Sequence, residues 1–303
     1  MATESKRLVI LALVANVGIA ITKFIAAGIS GSSAMLSEGI HSLADSGNQM
    51  FLLRGHAASR YQASVQHPYG RGKEMYFWSF MVAVFLFVGG SVLSIVSGVG
   101  KIRDPHGHEG EGLWLSLGVL AVAAVFEGLI AFRPALKEFN RQRGGRTFGK
   151  TIRESKDPSL LVVLFEDSAA IVGLLIAAVG LITAWVTEDA FWDGLASVLI
   201  GILLAAVAWV LAVEMKSLLI GESATREERA KIRAAALSVR EARTVDRLLT
   251  MQLAPDEVLV TMDVEFDEGV TGDRMEAAIV EMEGRIAEAV PQATRIFIEP
   301  VDR

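Results

Sequence analysis

His41 and Asp45 lie four residues apart in Met35-Leu-Ser-Glu-Gly-Ile-His-Ser-Leu-Ala-Asp45, a stretch of mostly small and apolar residues. Glu166 and Asp167 stand side by side in a longer apolar run, Leu160-Leu-Val-Val-Leu-Phe-Glu-Asp-Ser-Ala-Ala-Ile-Val-Gly173. On an α-helix, positions four apart are separated by about 40° around the axis, so His41 and Asp45 can ligate one ion together. An imidazole nitrogen and a carboxylate oxygen are ligands that zinc prefers, at roughly 2.0–2.2 Å. With Val163 as reference, Glu166 falls roughly 60° to one side and Asp167 roughly 40° to the other. Either both border a common inward direction, or only one reaches the ion. Ionisable groups at membrane depth are costly and are kept mainly where they face a polar interior with a task to perform. A His, an Asp and two further carboxylates in such segments point to a divalent cation held inside a membrane.

The plainer reading of His41 and Asp45 is a hydrogen-bond network that only holds helices together. Two separate segments contribute charges here, whereas such network residues are usually neutral, which favours the ion. For Glu166, a bond to a neighbouring helix competes evenly with ligation. Glu38, one turn before His41, and Asn48, one turn after Asp45, supply outer ligands or pack polar helices, and packing is the favoured reading. Glu127 and Asp193 read as isolated, with structural roles near span ends or in the bundle.

The elements that must position these residues are membrane spans. The chain has 303 residues, 52% of them hydrophobic, with a mean hydropathy of +0.43. Runs of about 20 apolar residues cross roughly 30 Å of hydrocarbon. Six such candidates occur, at 8–29, 35–55, 75–100, 112–136, 158–186 and 190–213. The second is the weakest, interrupted by Glu38, His41, Asp45, Asn48 and Gln49, and belongs inside a bundle away from lipid. Met1 to Arg7 is short and polar, and the apolar run from Leu8 continues past a signal peptide's usual core, so no cleavable signal is expected.

Orientation follows from Lys and Arg in the connections. Lys6 and Arg7 precede the first span, and Arg54, Arg60, Arg71 and Lys73 separate the second from the third. Arg133, Lys137, Arg141, Arg143, Arg146, Lys150, Arg153 and Lys156 lie between the fourth and fifth. The opposite connections carry only Lys101 and Arg103, accompanied by Asp104, Glu109 and Glu111. Both termini are therefore expected to be cytoplasmic, in a bacterial inner (cytoplasmic) membrane. A formal charge of −6 argues against nucleic acid as a partner. The absence of cysteine excludes disulfides and thiolate zinc sites.

Beyond Glu214 the periodicity changes. Thr225-Arg-Glu-Glu228 fits a capping box, followed by helical spacing through Ile232, Ala235, Ala236 and Val239. Thr244 to Leu253 reads as a strand, and Pro255-Asp256 as a turn. Val258, Val260, Met262, Val264 and Phe266 then alternate with polar residues in a second strand. A helix from Asp273 to about Ala289 and a strand at Arg295-Ile-Phe-Ile298 complete an αββαβ order. The expectation is an α-helical membrane protein: a six-helix transmembrane domain over 1–213, then a small cytosolic α/β domain, ferredoxin-like, over 214–303.

At this point a family becomes visible. The six-span plan, Gly31-Ser-Ser-Ala-Met-Leu-Ser-Glu-Gly-Ile-His-Ser-Leu-Ala-Asp-Ser-Gly-Asn48, His67-Pro-Tyr-Gly-Arg-Gly-Lys73 and the α/β tail resemble the cation diffusion facilitators. Those are dimeric transporters that exchange cytosolic zinc or related divalent ions for protons. Ser155-Lys-Asp-Pro158 followed by Phe165-Glu-Asp-Ser-Ala-Ala170 is similar, more narrowly, to the branch that includes animal zinc transporter 9. The resemblance covers nearly the whole chain. It implies that the metal pair of span two is His41 and Asp45. The second pair, commonly His-x-x-x-Asp on span five, falls on Val163 and Asp167. Val163 cannot bind metal, so Glu166 is the candidate for the missing ligand, with water or Asn48 as substitutes.

Other family sites are thinned out. Of the two histidines often present in the loop after span two, His67 remains and Arg71 stands where the second belongs, which favours a structural role for His67. Tails in this family often bind regulatory zinc through His, but Glu214 to Arg303 contains none. Asp263, Glu265 and Asp267 line one strand face and read as a solvated surface. His106 and His108 read as part of a flexible outer loop, against the alternative of gathering released metal. The functional expectation is a homodimeric secondary transporter that exports a divalent cation, with Zn²⁺ as cargo, from the cytoplasm by alternating access. Protons are the counter-ion, since metal ligands must be deprotonated to bind. Mn²⁺, Fe²⁺ and Co²⁺ tolerate similar oxygen-rich sites. The competing class is a membrane-bound metal sensor or scaffold that binds without transporting. An enzyme is not expected, because the chain lacks His-Glu-x-x-His and any nucleophile–base set.

Overall fold

Helix ends in this chain are fixed by local polar groups and, for one helix, by a carboxylate from distant sequence. The computed structural model describes residues 2–104 and 112–302, with residues 2–15, 130, 131 and 142 described by backbone alone. His106 and His108 lie outside the described residues. Helix α1 (Ala2–Ser30) stops at Gly31, whose φ of 64° suits a left-handed cap and whose N–H donates to Ala27 O at 2.8 Å. Helix α2 (Ser33–Ser59) starts two residues later. Its first N–H groups have no partner of their own within the helix. They find one in Asp193: Ser33 N and Ala34 N donate to its carboxylate at 2.6 and 3.3 Å. The hydroxyls of Ser32 and Ser33 donate to the same carboxylate at 2.5 and 2.9 Å.

Span three is continuous over Glu74–Arg103 and comprises α3 (Glu74–Phe85), a π-helical segment (Leu86–Val92) and α4 (Leu93–Arg103). Span four repeats the pattern with α5 (Leu113–Phe126), a π-helical segment (Glu127–Phe132) and α6 (Arg133–Arg143), ending at the left-handed Gly144. The short α7 (Phe148–Glu154) leads to α8 (Pro158–Thr187), where Asp157 accepts from Ser159 N and Leu160 N and Pro158 occupies the first turn. Helix α9 (Phe191–Ile220) closes the set. All six expected spans are helical, and most extend past their apolar runs because backbone pairing does not end with the hydrocarbon. Glu74–Arg103, Leu113–Arg141, Pro158–Thr187 and Phe191–Ile220 are each long and apolar enough to cross a membrane. Helix α2 owes its lower apolarity to the polar residues that make it interesting.

Large apolar side chains such as Leu175, Val179, Val96 and Trp209 face outward, whereas Ala, Ser and Gly dominate the contacts between helices. Gly98 and Gly194 show why: a Cβ at Gly98 would stand 2.5 Å from Gly194 O. Beside them Ser197 Oγ donates to Ser94 O at 2.8 Å. Helix α5 packs on both α1 and α8, and the second π-helical segment also packs on α8.

The chain forms two compact units, one of residues up to Gly55 with Phe77–Met215, the other of His56–Tyr76 with Lys216 onward. In the second unit, α10 (Arg226–Leu237) opens on the expected capping box: Glu228 N donates to Thr225 Oγ1 at 3.2 Å, and Thr225 N to Glu228 Oε2 at 2.8 Å. Strands β1 (Ala242–Ala254) and β2 (Glu257–Phe266) pair antiparallel, and β3 (Ala293–Val301) joins β2 in parallel after α11 (Gly272–Ala289). The order is β1-β2-β3. Val258, Val260, Met262, Val264 and Phe266 face a core completed by Ile232, Ala236, Met282 and Ile286. The strand face of Asp263 and Glu265 is not simply solvated. Asp263 is buried and pairs with Arg247 at 3.1 Å, and Glu265 pairs with Arg243 at 2.8 Å, as cross-strand partners. His67 belongs to this unit: Ser64 and His67 exchange backbone hydrogen bonds at 3.0 and 3.1 Å, and Gly70 N donates to His67 O at 2.9 Å.

Candidate metal site

Helix α2 carries His41 and Asp45 on one face, with His41 Nδ1 3.6 Å from Asp45 Oδ1. That separation is too long for a hydrogen bond. His41 is fully buried, yet neither ring nitrogen has a hydrogen-bond partner. Asp45 Oδ1, Asp167 Oδ2 and Asn48 Oδ1 are buried and unpartnered as well. Buried polar atoms left unpaired are costly, and a group of them calls for an explanation. A cation gives one, because one imidazole nitrogen and each of these oxygens can donate a lone pair to a metal.

Helix α8 brings Glu166 and Asp167 to the same neighbourhood, where the carboxylates of Asp45, Glu166 and Asp167 lie within electrostatic range of one another. Their environments differ. Glu166 is buried, and its Oε1 accepts from Asn48 Nδ2 at 2.5 Å, tying α8 to α2. Asp167 is partly exposed and retains a free oxygen. Val163, which has no donor atom, leaves its position on α8 without a ligand. Among the described residues, no three His, Cys, Asp or Glu side chains are already gathered at ligand spacing. The structure thus places His41 and Asp45 on one face of α2 and Glu166 and Asp167 on α8, with Asn48 of α2 hydrogen-bonded to Glu166.

A residue that the sequence reading passed over lies next to them. Lys23, about two turns before the end of α1, is fully buried. Its ammonium donates to Glu38 Oε2 at 3.0 Å, Ser42 Oγ at 2.8 Å and Glu127 Oε1 at 3.2 Å. Glu127 is thus not isolated, and Glu38 is an ion-pair partner as well as a packing residue. Asp193 is structural as expected, but its task is to cap α2 (see above). The available signal for Lys23 was its place, a single cation inside an otherwise apolar span.

Residues 9–220 match the family described as the cation efflux transmembrane domain, and residues 224–300 match the cation efflux protein, cytoplasmic domain. The mouse protein named "Proton-coupled zinc antiporter SLC30A9, mitochondrial" is 33% identical over 247 residues, covering 81% of this chain and 43% of that protein. Its human counterpart is 32% identical over 248 residues, with the same coverage of both chains. "Metal tolerance protein C4" of Arabidopsis thaliana is 33% identical over 239 residues, 76% of this chain and 50% of the relative. The chain thus spans half the length or less of these relatives.

Proposed function

The chain belongs to the cation efflux family, and from that premise we propose that it is a proton-coupled secondary transporter exporting a divalent metal cation, with zinc as its cargo. The observation that carries this reading is the set of buried, unpartnered donor atoms on His41, Asp45 and Asp167. His41, Asp45 and Asp167 ligate the ion, and Glu166 is the fourth ligand, aimed by Asn48. A dication satisfies these donors, and protons compete for the same lone pairs, so exchange of metal for protons follows from the ligand chemistry. Rocking of helices around the half-sites of α2 and α8 exposes the ion to one side and then the other. The zinc antiporter names of the animal relatives support the choice of cargo and of counter-ion. The cytoplasmic location of both termini rests on the Lys and Arg distribution.

The protein works as a homodimer through its C-terminal domain. Leu249, Thr261 and Phe297 form a cross-strand row on the sheet face away from the helices, and Leu249 and Phe297 are exposed there. That row is the contact surface for the second copy.

The test is zinc flux in proteoliposomes with an imposed pH gradient. Wild type moves zinc, and His41→Ala and Asp167→Ala each lose most of the flux. Unchanged flux in both variants sinks the site. Tight zinc binding with no flux under any gradient supports a sensor or scaffold instead.

A further inference from the structure

One level of the helical unit holds a buried ammonium, two carboxylates that share it, and an imidazole without hydrogen bonds. A lysine has three N–H donors. In Lys23 each has an acceptor: Glu38 Oε2 at 3.0 Å, Ser42 Oγ at 2.8 Å and Glu127 Oε1 at 3.2 Å. The side chains of Lys23 and Glu38 are 0% exposed, and that of Glu127 is 14% exposed. The anions outnumber the cation, and their far oxygens, Glu38 Oε1 and Glu127 Oε2, are buried with no partner. Glu38 Oε1 is directed at α8, where a Cβ on Gly173 would come within 2.5 Å of it. His41 stands one turn along α2 from Glu38, with both nitrogens bare. This cluster is offset from Asp45 and Asp167 toward the end of α2 that begins at Ser33.

Two buried carboxylates this close must either take up a proton or hold a cation between them. The chain supplies one covalently from α1. We propose that Lys23 is a built-in counter-cation occupying a second divalent-cation position, formed by Glu38 and Glu127 with His41 beside them. By filling it, Lys23 limits the protein to one cargo ion. The ammonium touches one oxygen of each carboxylate, the place a dication takes when those oxygens close to about 2.0–2.2 Å for zinc. A double charge also matches two carboxylates better than a single one, so the position favours a divalent ion once the ammonium is gone. In the intact protein, an ion moving from His41 toward the Ser33 end of α2 meets carboxylates that are already paired, and is not retained. Lys23 is in this sense a specificity-determining residue that acts by exclusion. The inference rests on His41, Asp45 and Asp167 being the cargo site.

The experiment counts zinc ions bound per chain in the purified full-length protein by equilibrium dialysis, with cadmium as a second probe. Wild type binds one ion, K23M binds two, and K23M/E38Q/E127Q returns to one. The same comparison in a D45N/D167N background separates the two claims: that variant binds none, and adding K23M restores one. Retention of wild-type binding by D45N/D167N contradicts the cargo site and leaves the difference made by K23M to judge the second position. Equal stoichiometry with and without K23M overturns the proposal. Should K23M aggregate when purified without metal, recovery of a monodisperse protein by zinc or cadmium supports it. Persistent aggregation of K23M in metal, while the triple variant folds, overturns it.

Discussion

Glu166 is the side chain at which metal chemistry and helix packing compete. Its bond from Asn48 fixes the carboxylate and bridges α2 to α8, so changing either partner separates the two roles. Asn48→Ala leaves Glu166 unaimed, and zinc affinity is expected to fall by about 10–100-fold, as for other residues that orient a ligand. Glu166→Gln keeps the hydrogen bond but weakens the ligand, so a competition series of Zn²⁺, Mn²⁺, Fe²⁺ and Co²⁺ against transport is expected to show altered affinity and selectivity. If Glu166→Gln behaves as wild type in that series, Glu166 is not a ligand. His41, Asp45 and Asp167 stand out in the sequence as ionisable residues in apolar runs. Lys23 stands out in the same way, but its pairing does not, because its acceptors Glu38 and Glu127 are 15 and 104 positions away and no local pattern joins them. Counting cations only in the connections also hid it.

Helix α2 is held at its start by a residue of another helix, and that is the element-scale feature with the clearest energetic consequence. Asp193 accepts from two backbone N–H groups and two hydroxyls at the first turn, where a negative charge also suits the helix dipole. Asp193→Ala is expected to cost about 2 kcal/mol, the upper end for a lost cap, read as a shift in denaturant unfolding in detergent. An unfolding curve unchanged by Asp193→Ala would mean that water caps α2 equally well. Gly98 makes the parallel case for helix contact. Gly98→Leu places side-chain atoms where Gly194 O stands, and about 1–3 kcal/mol is expected to be lost in the same measurement. The capping box at Thr225 and the alternation of β2 were readable because each lies within a few residues. The π-helical segments Leu86–Val92 and Glu127–Phe132 were not, since continuously apolar sequence leaves the helical period unmarked.

On the scale of the whole molecule, the boundary between units does not follow the chain in one cut. Residues 56–76, which read from sequence as a basic connection, pack with the C-terminal strands: a Cβ on Gly72 would lie 2.6 Å from Ala254 Cβ. Such contacts leave no periodic trace, because they depend on which distant backbone a loop approaches. The row of Leu249 and Phe297 makes assembly testable at this scale. Light scattering of the full chain in detergent is expected to give the mass of two copies, and Leu249→Asp with Phe297→Asp the mass of one; a monomeric wild type contradicts the dimer. The central claim, that donors on α2 and α8 exchange metal for protons, is tested most directly by recording zinc entry and internal pH together in the same vesicles. Zinc movement is expected to be driven by the pH gradient and to dissipate it, and D45N/D167N is expected to abolish both traces. Zinc crossing at the wild-type rate in D45N/D167N, or with the gradient collapsed, contradicts it.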